Sequence, residues 1–421
     1  MLLQTLAWQP KTGWSAPWPA GMDSPSTLAV IFGGPASPDM AAAVNEVAAR
    51  IPNSVLAGCS TAGEIHGDHV ADASLSVAIA SFASVTLRKV LLPIRDPVEA
   101  FAVGRDLGRA LAAPDRRAVF VLSDGLNVNG SRLTSGLREA LPEDVVVTGG
   151  LAGDGERFES TWVIGERAVT DRCVTAVGFY GARLRVGHGC QAGWSSFGPE
   201  RSITRAEGNV LYELDNKPAL ALYKDYLGER ATGLPATALL FPLAVWAAGD
   251  AGAPLIRTIL GVDESTQSLR FAGDVPQGYC ARLMRTNIER LIQSAGLAGA
   301  RAAQDFPDGG SPLSIAVSCV GRRLVLGERT EEEIESVLEA LPRGAAQVGF
   351  YSYGELSPRQ RGGFCDLHNQ TMTVTLFDEA YPGRDRPCIA STHSSHDSWR
   401  ASASIRMPRL RRHSGRTCSS A

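Results

Sequence analysis

The sequence predicts an α/β protein made of two related α/β units, with mixed or antiparallel sheets and flanking helices. Two observations carry this reading. Apolar runs of strand length alternate with stretches whose apolar residues recur at helical spacing. An eight-residue pattern, G-x-x-[S/T]-x-G-E-[I/L], occurs as "GCSTAGEI" at 58–65 and as "GFYSYGEL" at 349–356, each time after a β-type run.

The elements follow in order. Residues 1–26 read as a leader. "MLLQTLAWQPKTGW" has no basic start before an apolar core, so a signal peptide is not expected. "TLAVIFGG" (27–34) reads as a buried strand. Met40, Ala43, Val44, Val47, Ala48 and Ile51 then mark one face of a helix. Ser54–Gly58 is a second strand, and "SLSVAIASF" and "VTLRKVLLP" read as a strand pair. Val103, Leu107, Ala110 and Leu111 mark another helix face. "AVFVLSD" (118–124) is a strand, followed by a turn, a helix to about Leu141, and the strand "DVVVTGG" (144–150). A strand-rich stretch comes next. Beyond it, Pro218 suits the first turn of a helix with Leu220, Tyr223 and Leu227 inside. Thr330 with Glu333 predicts a capping box for a helix that buries Ile334, Val337, Leu338 and Leu341. The domain expectation is one unit over 27–220 and a second over 221–380. Residues 381–421 lack apolar periodicity and read as a disordered basic tail.

Composition removes several function classes. The 421 residues carry a formal net charge of −3. From Pro382 to Ala421 there are eight Arg and two Asp, so the rest of the chain is acidic. An acidic body argues against nucleic-acid binding. The longest apolar run, "ATALLFPLAVWAA" (236–248), is too short for a membrane span and contains Pro242. Eight Cys without a CxxC pair favour reduced thiols, hence a cytoplasmic setting.

The chemistry-bearing strings leave alternatives open. In "GCSTAGEI", Ser60, Thr61 and Glu64 fit a small-ligand pocket. They equally fit a turn whose carboxylate caps backbone amides. The match to "GFYSYGEL", with Glu355, is either a structural echo or chance. Cys59 has His66 near it in sequence but no protease-like signature around it, so a buried small residue fits better than a nucleophile. No catalytic set is spaced through the chain, and an enzyme is not expected. "VTGGLAGDG" (147–155) resembles a phosphate loop, but strands follow it where a helix would be needed. The histidines do not make a zinc site. One neutral histidine suffices for axial haem ligation, and His188 in "RVGHGCQAGW" has apolar and aromatic neighbours in sequence. A half-buried, hydrogen-bonded His188 is the alternative. In "CDLHNQTMTVTLF" (365–377), His368 and Asn369 either face a pocket with Tyr351, Tyr353 and Glu355 or lock two loops together.

"GCSTAGEI", "LSDGLNVNG", "TGGLAGD", "GHGCQAGWSSFGPERSITRAEGNVLYELDNKPAL", "SCVGRRLVLG", "GFYSYGEL" and "LHNQTMTVTLF" together resemble the FIST sensory family in its two-part form, FIST_N plus FIST_C. The motifs span roughly residues 27 to 377. The resemblance implies a signal-input module that binds a small ligand, with amino acids and related metabolites as the ligand class. The chain also resembles the haem-containing, nitric-oxide-sensing subgroup. That likeness implies haem b held by His188, with His368 next in line, and a sensor histidine kinase or cyclic-di-GMP signalling protein as output partner. A non-catalytic scaffold is the remaining expectation. The tail matches nothing in the family.

Overall fold

In the computed structural model the residues described are 1–249, 254–306 and 310–380. The expectation for the basic tail lies outside them.

The chain begins with β1 (Leu2–Gln9), β2 (Gly13–Trp14), β3 (Thr27–Gly33), α1 (Pro38–Arg50), β4 (Val55–Ser60), a short hairpin of β5 (Glu64–His66) and β6 (His69–Ala71), and β7 (Leu75–Ser81). Every residue of β3 is buried, which explains its unbroken apolar run. α1 starts where Ser37 accepts a hydrogen bond from Met40 N–H and Pro38 takes the first turn. The expected apolar stripe is its buried face.

The pattern then repeats. β8 (Thr86–Pro93), α2 (Ala100–Ala110), β9 (Arg116–Ser123), α3 (Gly130–Ala140), β10 (Val146–Leu151), a hairpin of β11 (Val163–Ile164) and β12 (Val169–Thr170), and β13 (Cys173–Tyr180) form a second copy. The third copy opens with β14 (Leu184–Gln191) and is interrupted by a lobe. The lobe holds β15 (Ser195–Glu207), β16 (Val210–Leu214), β17 (Lys217–Pro218), α4 (Ala219–Leu227), β18 (Leu243–Trp246), β19 (Leu255–Arg257), β20 (Ile259–Asp263), β21 (Ser268–Phe271) and β22 (Cys280–Arg285). The third copy resumes with α5 (Ile288–Ala303), β23 (Leu313–Cys319), α6 (Val320–Leu326), α7 (Thr330–Glu339), β24 (Ala346–Ser352), a hairpin of β25 (Gly354–Pro358) and β26 (Cys365–His368), and β27 (Met372–Glu379).

Three sheets share one order: β4-β3-β7-β1, β10-β9-β13-β8 and β24-β23-β27-β14. In each, the first pair is parallel and the other pairs are antiparallel. Each hairpin is given to another copy's sheet. β5–β6 adds to β24, β11–β12 to β4, and β25–β26 to β10, which closes a ring of exchanges. The donated strands cover edges that would otherwise expose unpaired backbone groups. The expected α/β class holds, with mixed sheets and flanking helices. The relation between two units extends to a third copy, and sheet pairings cross residue 220 in both directions. Residues Met1–Tyr381 accordingly cluster as one body.

The lobe is an all-antiparallel sheet whose path begins at β19 and ends at β20. Those strands are joined through Thr258, so the sheet curls around its own core of Leu220, Tyr223, Leu227, Leu269 and Phe271. Pro218 is the N-cap of α4, one residue before the first turn expected for it, and Leu220, Tyr223 and Leu227 are buried as expected. The capping box does not form. Thr330 lies inside α7, and the fully buried Glu333 accepts instead from Arg322 Nε at 2.6 Å.

Candidate ligand site between ring and lobe

A cavity of about 810 Å³ lies where the ring meets the lobe. The ring supplies the carboxyl ends of its strands: Gly125–Asn129 after β9, Leu151 at the end of β10, Cys319 at the end of β23, and Val320, Gly321 and Leu324 of α6. This is where α/β sheets commonly receive ligands, because the strands end there and the loops can diverge. Tyr353, at the corner between β24 and β25, and Asn369, just before β27, complete the ring side. The lobe supplies Asn209, residues within 233–239, Thr258–Leu260 and Phe271–Gly273.

Hydrogen bonds join ring and lobe around this space. Asn129 Nδ2 donates to Asp274 Oδ1 at 2.8 Å, and Asp274 N donates to Ser131 Oγ at 3.1 Å. The buried Arg257 guanidinium donates to Leu367 O at 3.0 Å. Gln370 Nε2 donates to Leu239 O at 3.2 Å, while Trp194 Nε1 donates to Gln370 O at 3.0 Å. Burial lowers the Arg257 pKa to about 10, with Asp366 and Asp274 opposing that shift.

Asn369 borders the cavity. Its side chain is 1% exposed, and neither amide atom has a hydrogen-bond partner within the protein. Thr258 Oγ1 is likewise buried and unpartnered. Leaving such groups unpaired is costly, so the arrangement suits a molecule that supplies the missing partners. Tyr353 stacks on Phe158 at 4.5 Å between ring centroids, and its hydroxyl donates to Asp154. Burial works to raise the Asp154 pKa, but that hydrogen bond and those from Ser160, Glu159 and Phe158 N–H hold it below the usual carboxylate value.

The other residues singled out from sequence make internal contacts. Glu64 accepts from Thr61 Oγ1 and from Ser74 N and Oγ, the last two at 2.9 Å. Glu355 repeats this geometry, accepting from Ser352 Oγ at 2.8 Å and from Thr371 N and Oγ1 at 3.2 and 2.7 Å. Each carboxyl ties a strand-end loop to the start of the returning strand. Burial pushes Glu64 up to about 7 and Glu355 up to about 8, against those same hydrogen bonds. Ser60 Oγ accepts from Trp162 N, and Cys59 is fully buried with its thiol pushed well above its ordinary pKa by desolvation. Tyr351 donates to Glu333 at 2.9 Å. His368 Nε2 faces Ser357 O at 2.9 Å, and Nδ1 faces Cys190 Sγ at 3.7 Å. Of the nine ligand-site residues expected from sequence, Tyr353 and Asn369 border the cavity.

His188 is buried on β14 opposite Thr375, and burial drives its pKa down to about 4. Among the described residues its buried Nδ1 has no hydrogen-bond partner. Among the described residues, neither His188 nor any other histidine lines the cavity. The described residues therefore do not fit haem held by His188 at this site.

The FIST N domain matches residues 27–217 and the FIST C domain matches residues 219–358. The chain belongs to the FIST family. FIST domains are sensory, small-ligand-binding domains rather than catalytic ones, and they signal to other domains. The junction between the two FIST segments falls inside the lobe, between β17 and α4. This FIST chain is 28% identical over 227 residues to the uncharacterized protein MJ1623 of Methanocaldococcus jannaschii. That match covers 50% of this chain and 41% of the relative, so less than half of the relative's length is spanned. Among solved structures, the structure of PurLQS from Thermotoga maritima aligns with a TM-score of 0.18 at 8% identity, over 85% of this chain and 67% of that one. Among the described residues, no helix is long and apolar enough to cross a membrane.

Proposed function

We propose that this FIST protein is a signal-input module whose small ligand occupies the cavity between ring and lobe. Asn369 carries the reading: a residue whose buried amide has two unsatisfied atoms borders a cavity large enough for a metabolite. Gln370, the next residue, holds the lobe through Leu239 and Trp194. A ligand engaging Asn369 thus acts beside the contacts that set the lobe on the ring. It favours whichever lobe position it binds more tightly. A separate output protein reads that position. A sensor histidine kinase or a cyclic-di-GMP signalling protein is the partner class the family resemblance implies. No step through haem or nitric oxide enters this mechanism, because among the described residues no histidine lines the cavity.

Thermal unfolding against a panel of amino acids, other metabolites and haem tests the reading. A ligand at a hundredfold excess over Kd stabilises by about 2.7 kcal/mol. The expected result is a hit whose shift disappears in Asn369→Leu. A hit untouched by that change, or a Soret band that needs His188 and not Asn369, overturns it.

A further inference from the structure

The polarity of the cavity wall narrows the ligand class; this step rests on the reading of the cavity as the ligand site. Among the described residues, no Lys, Arg or His lines the cavity, and Glu156, which is exposed, is the one carboxylate there. A carboxylate or phosphate entering this space would lose its hydration without gaining a counter-charge, which is strongly unfavourable. The buried polar groups, Asn369 and Thr258, are uncharged. Asn369 offers one N–H donor pair and one C=O acceptor on a planar edge. A carboxamide is the complementary edge, and it pairs with Asn369 whichever way the Asn369 amide is rotated.

The wall also holds Asn129, Asn209 and Tyr353, all uncharged, and much of the remainder is apolar. Phe158, Leu260 and Leu324 are exposed large hydrophobic residues, and all three border this cavity. Exposed apolar side chains gathered at one opening mark an interaction site. We propose that the cavity takes an uncharged amphipathic carboxamide, its amide paired with Asn369 and its apolar chain lying toward Phe158, Leu260 and Leu324. Thr258 Oγ1 supplies a further hydrogen bond to the polar end. Free amino acids, charged at both ends, suit this wall poorly.

Hexanamide, hexanoate and hexylamine share a chain and differ in head-group charge, so they test the class directly. They are titrated into the full chain by calorimetry, with methyl NMR shifts to locate binding. Hexanamide is expected to bind at least about tenfold more tightly than either charged analogue. Asn369→Leu is expected to weaken hexanamide about tenfold, and Thr258→Val a few-fold. Circular dichroism confirms that both variants are folded, and the near-isosteric Thr258→Val keeps the test open if Asn369→Leu unfolds. Tighter binding of hexanoate or hexylamine overturns the carboxamide class and leaves the cavity reading standing. So does a panel metabolite that binds through Asn369 while hexanamide does not. If neither the series nor any panel compound perturbs residues of the cavity, the cavity reading itself falls.

Discussion

Glu64 and Glu355 show how a carboxylate in a glycine loop can be structural. Each joins two chain segments through one hydroxyl and one Ser or Thr that donates from both backbone and side chain. Both pKa values are raised above the ordinary 4.5, to about 7 and about 8. The linkage sign follows. The folded state holds these protons more tightly than the unfolded chain, so their stabilising contribution is complete below pH 4.5 and is lost as pH rises toward 7 and 8. Glutamine can keep both contacts by accepting from Ser74 or Thr371 and donating to Thr61 or Ser352 Oγ. Glu64→Gln and Glu355→Gln are therefore expected to flatten the fall in stability between pH 5 and 8, as read by urea unfolding across that range. Glu355→Ala should instead lose about 1–3 kcal/mol at pH 5, because Thr371 N–H is left unpaired. A second buried pair, Arg322 with Glu333, is fully enclosed. Removing one partner by Glu333→Ala should cost about 3–5 kcal/mol in the same assay. These roles were hard to read from sequence, because Ser74 and Thr371 stand ten and sixteen residues from the carboxylates they serve. Asn369 and Tyr353 are legible as pocket candidates in "CDLHNQTMTVTLF" and "GFYSYGEL". Thr258 is not, because a hydroxyl inside "LIRTILGVD" looks like any strand residue.

At the scale of elements, the three copies share backbone features that their side chains conceal. Gly58, Gly149 and Gly349 occupy matching places, where an added Cβ would run into the carbonyl of Ile31, Val121 or Ala316 on the adjacent parallel strand. Gly149 also has φ of +144°. Gly149→Ala should therefore destabilise by about 2 kcal/mol or more, measurable by urea unfolding. Ala73, Arg172 and Gln370 adopt φ of 55°, 48° and 57° just before the returning strands. Repeated use of the left-handed region by residues with a Cβ shows that the geometry is imposed by the fold. The sequence revealed the first and third copies because both run glycine, five residues, glutamate. The second escaped because "GGLAGD" shortens the loop by one residue and ends in Asp154. Its strand is plain in "DVVVTGG", but its turn by itself resembles a phosphate loop. The boundary expected near residue 220 lies where the matched FIST N and FIST C segments meet, whereas hairpin exchange leaves no trace in local periodicity.

The whole molecule follows from two connections of opposite kind. The ring is closed by exchanged hairpins, so a FIST N segment alone is incomplete. Residues 1–217 would leave β5–β6 without β24 and β10 without β25. The apolar surface shared among the three copies would also be opened, since Val121, Val147 and Leu151 cluster with Ala316, Val374 and Leu376. The lobe, by contrast, enters and leaves through neighbouring strands. Ser195 pairs with Arg285, and Thr286 Oγ1 donates to Gly193 O at 2.8 Å, so its two ends lie side by side. It also has a core of its own. Replacing residues 195–285 with a short glycine linker should leave a ring that melts cooperatively while ligand binding is lost, because half of the cavity wall is gone. The 1–217 fragment should show no cooperative melt in calorimetry and poor amide dispersion by NMR. A cooperative native-like melt of 1–217, or a lobe-deleted chain that fails to fold at all, would show that the exchanged hairpins do not hold the molecule together.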